Sequence, residues 1–170
     1  MLATDIIEYL KRPMLSLAAF RDGRDTVQPH GAIFGPKVML INEFAGSGGD
    51  AMPWYFRRAG VGKLIGKRTW GGLVGWAGAP SLLDGGFVSA PALAFYNPNG
   101  QWEVENIGIP PDIEVEHDPE LVRQGHDPQL EKAIEVVLAD LKKSPLPLPK
   151  RPPYPNYHAK PVPAKPAKSK

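Results

Sequence analysis

The chain has 170 residues, 42% of them hydrophobic and 22% charged, with no cysteine. That is enough apolar material for one domain with its own core, and it excludes disulfides, zinc–thiolate centres and a thiol nucleophile. The formal charge of +2 belongs to the end of the chain: residues 1–143 carry 14 basic and 18 acidic side chains, and six basic residues follow Ser144 with no acidic one, so a basic nucleic-acid-binding face is not indicated.

Met1 to Asp5 show neither a basic stretch nor an apolar core of the kind that makes a secretory leader. No apolar run approaches the roughly 18 residues that span a bilayer. The reading is therefore no membrane partner, with the cytoplasm favoured and the compartment of any longer parent protein left open.

In chain order, Asp5 to Arg12 is predicted as a short helix that begins abruptly. Lys37 to Asn42 is a short apolar run after Gly35-Pro36 and is expected to be a buried strand. The segment from Glu43 to Asp50 is a turn rich in small residues, and a helix from Asp50 to Ala59 follows, closed by Gly60. Leu64 to Thr69 reads as a strand, and Trp70-Gly71-Gly72 as a loop. Phe87 to Tyr96 and Gln101 to Val104 are predicted to pair as a hairpin through Asn97-Pro98-Asn99-Gly100. Ile113 to Val115 is one more short strand.

Asp127-Pro128 opens the clearest helix, with Asp as N-cap and Pro at the first helical position. Its apolar face is predicted as Leu130, Ala133, Ile134, Val137, Leu138 and Leu141. Pro145 to Lys170 holds nine prolines and is expected to be an extended or disordered tail, its early aromatics Tyr154 and Tyr157 available to pack on the domain. The domain division is thus 1–144 and 145–170, with no internal repeat.

The candidate chemistry centres on Ser47. A hydroxyl needs a base to take its proton and donors for the oxyanion that forms. Gly46, Gly48 and Gly49 let backbone N–H groups approach a carbonyl, and a helix N-terminus adds partial positive charge. Taken alone, Gly-Ser-Gly-Gly before a helix is more often an N-cap or a phosphate-cradling turn. Ala45 breaks the G-x-S-x-G pattern of an α/β-hydrolase elbow, and no Gly-Lys-Ser/Thr follows, which excludes a P-loop.

Three ordered motifs carry a resemblance: Asn42-Glu43-Phe44-Ala45-Gly46-Ser47-Gly48-Gly49-Asp50, Leu64-Ile65-Gly66-Lys67-Arg68-Thr69-Trp70-Gly71-Gly72, and Val104-Glu105-Asn106-Ile107-Gly108-Ile109-Pro110-Pro111-Asp112. Together they resemble the tail-specific (C-terminal processing) serine peptidases in their tricorn-like branch, over more than half of the chain. The resemblance implies an α/β fold, a mixed β/α spiral similar to the crotonase and Clp protease architecture, incomplete at its N-terminal side. It implies Ser47 as nucleophile, the Gly48 amide as part of the oxyanion hole, and Glu105 as the Glu of a Ser-His-Ser-Glu tetrad, with Glu103, one side-chain alternation away, expected to point elsewhere. It also implies peptide or protein substrates, no cofactor and no metal, and a possible homo-oligomer in the intact enzyme.

In the Ser-Lys branch of the family a Lys stands where this chain has Gly72, so that chemistry is disfavoured, and Lys67 is the only nearby amine. A histidine base is implied instead, from a Ser-His pair upstream of the nucleophile. Of the four histidines only His30 precedes Ser47, in Val27-Gln28-Pro29-His30-Gly31 with no Ser directly before the His; His117, His126 and His158 read as surface residues. The expectation is a peptidase whose base and second oxyanion donor lie upstream of this chain. Two alternatives are a non-catalytic remnant that binds peptides or assembles with partners and, more weakly, a crotonase-like acyl-CoA enzyme.

Overall fold

The computed structural model describes residues 2–78, 80–146 and 149–158. Helix α1 (Leu2–Lys11) opens the chain, followed by β1 (Ser16–Ala18) and β2 (Thr26–Gln28), which pair antiparallel. Then come β3 (Val38–Ile41), α2 (Gly48–Arg58), β4 (Lys63–Gly66), β5 (Gly75–Trp76), β6 (Pro91–Leu93), β7 (Ile113–Glu114), α3 (Pro119–Arg123) and α4 (Pro128–Lys143). The fold is mixed α/β. Strands β3, β4 and β7 form a parallel sheet in that order, with Ile41 beside Gly66 and Ile65 beside Ile113. No described helix is long and apolar enough to cross a membrane.

The core sits between α1, α2 and the sheet, where Ile7, Ile41, Ala51, Trp54, Phe56, Leu64 and Val104 cluster. The strand buried most completely is β4 rather than the run at residues 37–42. Leu64 and Ile65 are fully buried, whereas β3 is an edge strand of the sheet and Leu40 is exposed. Helix α2 ends as the sequence suggests. Gly60 takes φ 64°, the Gly60 amide donates to Arg57 O at 3.0 Å, and Val61 N–H reaches Phe56 O at 3.1 Å. This Schellman pattern satisfies carbonyls the helix leaves open.

Three expectations are corrected. The predicted hairpin shrinks to one bridge, Tyr96 with Trp102, and β6 pairs with β5 instead. Asn97 is the reason: its buried carboxamide oxygen accepts from the Asn99 and Gln101 amides at 2.9 and 3.0 Å, while its amide donates to Glu103. That tightens the turn and steers the chain toward α2.

The second concerns α4. Asp127 caps it as predicted, accepting from Leu130 N–H at 2.9 Å. The face against the sheet, however, is Gln129, Ala133 and Val136, and of the predicted apolar set only Ala133 is buried. Gln129 donates to Val115 O at 3.0 Å and so fixes the helix's roll. The third concerns the tail. Tyr154 and Tyr157 are exposed; Arg151 makes the contact, pairing with Asp25 in the β1–β2 turn. Residues 147–148 and 159–170 of the predicted tail lie outside the described residues.

Candidate active site

The turn between β3 and α2 is built from backbone hydrogen bonds that only small residues permit. Ala45 N–H returns to Asn42 O at 3.1 Å, and Gly49 N–H closes on Gly46 O at 2.7 Å. Ser47 occupies the second position of that Gly46–Gly49 turn, with φ 53° and ψ −108°. This is the mirror-image (type II′) geometry that glycine prefers. An L-residue held there stores strain of order 1–3 kcal/mol. A Cβ on Gly46 would lie 2.5 Å from Trp70 Cε3, so the neighbour before Ser47 has to be glycine unless the indole moves.

Ser47 is the N-cap residue of α2, yet its hydroxyl accepts no capping hydrogen bond. The bland N-cap use of this serine is therefore not realised. The Gly48 amide, first of the helix, has no acceptor among the described residues. A hydroxyl and an unpaired N–H thus sit together where the helix dipole is positive.

The loop Thr69–Gly72 is bound to this turn from several directions. Ser47 N–H donates to Gly72 O at 2.8 Å and Trp70 N–H to Ala45 O at 2.9 Å. The fully buried Asp50 carboxylate accepts from Gly71 N–H at 2.9 Å and Gly72 N–H at 3.0 Å. A buried carboxylate is tolerated when charge-assisted hydrogen bonds satisfy it. The sequence reading assigned Asp50 no task, because an acid in a helix's first turn is ordinary and nothing local announces its burial.

The third motif closes the site. Asn106 N–H donates to Gly71 O at 2.7 Å, and the buried Thr69 hydroxyl accepts from Ile109 N–H at 2.7 Å. Glu105 Oε2 accepts from both Leu73 and Val74 N–H at 2.7 Å. Glu103 is drawn the other way, to Trp54 Nε1 at 2.7 Å, Arg58 at 3.0 Å and the Asn97 amide. The Asn97 hydrogen bond first, then those of Trp54 and Arg58, hold its carboxyl below the usual carboxylate range. Residues two apart on a regular strand share a face, so alternation does not part these carboxylates. They diverge because the chain leaves the extended conformation at Val104 and turns through Asn106 at φ 59°.

Ser47 and Glu105 line one open cavity of about 860 Å³, together with Trp70, Gly72, Val74 and Trp76. A smaller hollow of about 360 Å³, walled by Leu73, Phe95 and Trp102, shares Val74, Glu105 and Asn106 with it. No histidine lines either space among the described residues. His30 meets Gln28, His126 meets Glu131, and His117 lies 3.8 Å from Asp127. Lys67 is engaged by Glu114 and Glu116 at 2.8 Å each, and their hydrogen bonds raise its ammonium above the usual lysine range, which unfits it as a base. A Cβ on Gly72 would fall 2.9 Å from Trp70 Cε3, so a longer side chain at that position would need the indole to move. Among the described residues no group of three His, Asp or Glu side chains is gathered that could hold a metal ion.

Known proteins resemble this chain in sequence and fold. The tricorn protease of Thermoplasma volcanium is 45% identical over 130 residues, 75% of this chain and 13% of that protein. The tricorn protease of Thermoplasma acidophilum is 37% identical over 147 residues, 86% of this chain and 14% of that protein. A crystal structure of the tricorn protease superposes with a TM-score of 0.78 at 36% identity, over 84% of this chain and 14% of that one. The chain thus spans about a seventh of the length of these relatives. The sequence profile of peptidase family S41 matches residues 10–115, which include the Ser47 turn, the Gly72 loop and Glu105, and the chain belongs to that family.

Proposed function

We propose that this chain is the nucleophile-bearing part of a serine-type peptidase acting on peptides or proteins. Ser47 Oγ attacks the scissile carbonyl, and the oxyanion of the tetrahedral intermediate takes the Gly48 N–H at the positive end of α2. The Ser47 proton passes to a base and from it to the leaving amine; water then hydrolyses the acyl-enzyme. Glu105 orients the base through an intervening serine, in the manner of a Ser-His-Ser-Glu tetrad. The base is a histidine from a segment other than the described residues, since none of theirs lines the cavity.

The observation that carries this reading is the state of Ser47: strained backbone, a hydroxyl unspent on capping, an adjacent unpaired amide, and a cavity shared with Glu105. The same absence of a histidine supports a second reading, that the chain by itself binds peptides without cleaving them.

A fluorophosphonate probe with peptide mapping tests both. The 170-residue chain is expected to label weakly and to hydrolyse peptides poorly. A longer protein carrying an upstream Ser-His pair is expected to label at Ser47 and to lose label and hydrolysis with Ser47→Ala. If the longer protein cleaves peptides and Ser47→Ala leaves cleavage intact, the assignment is wrong. If it neither labels nor cleaves, the binding-only reading stands.

A further inference from the structure

Helix α4 leaves an apolar seam uncovered. Packing on the sheet uses Gln129, Ala133 and Val136, yet Leu130, Ile134 and Leu138 are 47%, 50% and 57% exposed. Val137 and Leu141 lie half-buried alongside them. Leu130, Ile134, Val137 and Leu141 recur at spacings of four, three and four and so share one stripe along the helix. A hollow beside Leu138 and Leu141, also lined by Glu135, Ala139 and Lys142, continues the same face.

Charge along the outer flank selects the occupant. Glu131 and Glu135 flank the seam in the first half of α4, and Lys142 flanks it in the last turn. Among the described residues Lys142 forms no ion pair, whereas Glu131 meets His126 and Glu135 meets Lys132. A second copy laid parallel would turn this charged flank toward the sheet-side flank of its partner, where Glu131 meets no cation of the seam. Laid antiparallel about a two-fold axis it sets Leu130 against Leu141, Ile134 against Val137, and Glu131 beside Lys142, each pair occurring twice.

We propose that α4 is a self-association surface, pairing antiparallel with α4 of a second copy of this chain. Four seam residues per helix make a small interface, so the dimer is weak and depends on concentration. This inference does not rest on the peptidase assignment, since it uses no residue of the Ser47 cavity.

Sedimentation velocity on the full chain from about 5 to 300 μM tests it. The expected result is a concentration-dependent rise from the 18.5 kDa monomer toward twice that mass. Ile134→Glu should raise the dissociation constant at least tenfold with unchanged far-UV circular dichroism, since the residue is half exposed. Glu131→Lys and Lys142→Glu should each weaken association several-fold, and the double swap should restore it. A chain that stays monomeric over the whole range overturns the proposal, whatever then covers the seam. So does a dimer indifferent to Ile134→Glu, which would place the contact on another surface. A double swap that fails to restore association overturns the antiparallel pairing.

Discussion

The floor of the Ser47 cavity and its rim are held by different physics. On the floor, each turn is pinned by a polar group fixed within the fold: Asp50 takes two amides of the Gly72 loop, Thr69 takes Ile109, and Glu105 takes the Leu73 and Val74 amides that follow the loop. The rim is the arm from Gly75 to Leu93. Its two strands meet over two or three residues each, and Leu82, Leu83, Phe87 and Val88 stand in solvent around one Trp76–Phe87 stacking contact. Ser47 and Glu105 sit where low-dielectric hydrogen bonds fix position. The Trp76 wall sits where few contacts oppose movement.

The sharpest way to break this contrast is Asp50→Ala. Two floor amides lose their acceptor, each worth about 1–3 kcal/mol when left unsatisfied, so a loss of about 3 kcal/mol is expected in denaturant unfolding. A loss below about 1 kcal/mol would mean that water replaces the carboxylate and the floor is not rigid.

Paired glycine substitutions sharpen the comparison. Gly71 and Gly85 both lie in the left-handed region, at φ 85° and 83°, but a Cβ on Gly71 meets Gly108 N at 2.6 Å while one on Gly85 meets nothing within 4 Å. Gly85→Ala in the arm should cost about 1 kcal/mol of backbone strain. Gly71→Ala should cost about 2 kcal/mol more, from the backbone collision. Equal costs would show that the floor yields as easily as the rim.

Ser47→Gly should change stability in the opposite direction. It releases about 1–3 kcal/mol of strain and loses about 0.5–1 kcal/mol to the greater chain entropy of glycine. A net gain near 1 kcal/mol in thermal unfolding is expected, and no gain would mean that Ser47 is not strained.

Acid titration bears on the carboxylate that the floor does not use. Glu103 has its folded pKa depressed from 4.5, so its contribution is fully present above that value and fades as pH falls through the lower folded one. Glu103→Gln should therefore flatten the loss of stability below about pH 4.5. An unchanged slope would remove Glu103 from the account. The smallest effect is expected on the rim: Leu83→Ser, at a fully exposed side chain, should stay within about 0.5 kcal/mol.

Much of the floor was legible because its chemistry is local. Strand, glycine turn and helix follow in sequence order, and the turn's closing hydrogen bond spans three residues. The start of α4 was legible for the same reason, since Asp127 caps a helix one turn away. The Phe87–Val104 hairpin was misjudged because Asn97-Pro98-Asn99-Gly100 identifies a turn but not which strand its arms join. The roll of α4 was not legible because Gln129, a polar residue outside the apolar periodicity, is buried by its bond to Val115 O.

The sequence by itself determined where this chain turns and caps, and which hydroxyl stands at a helix N-terminus, because those outcomes depend on the conformational freedom and hydrogen-bonding reach of residues within four positions of one another. Only the tertiary structure decided which acid serves which place. Asp50 is buried under a loop 21 residues away, Glu105 faces the cavity, and Glu103 faces α2. A carboxylate goes where donors converge, and these donors are backbone amides and side chains brought together from distant segments.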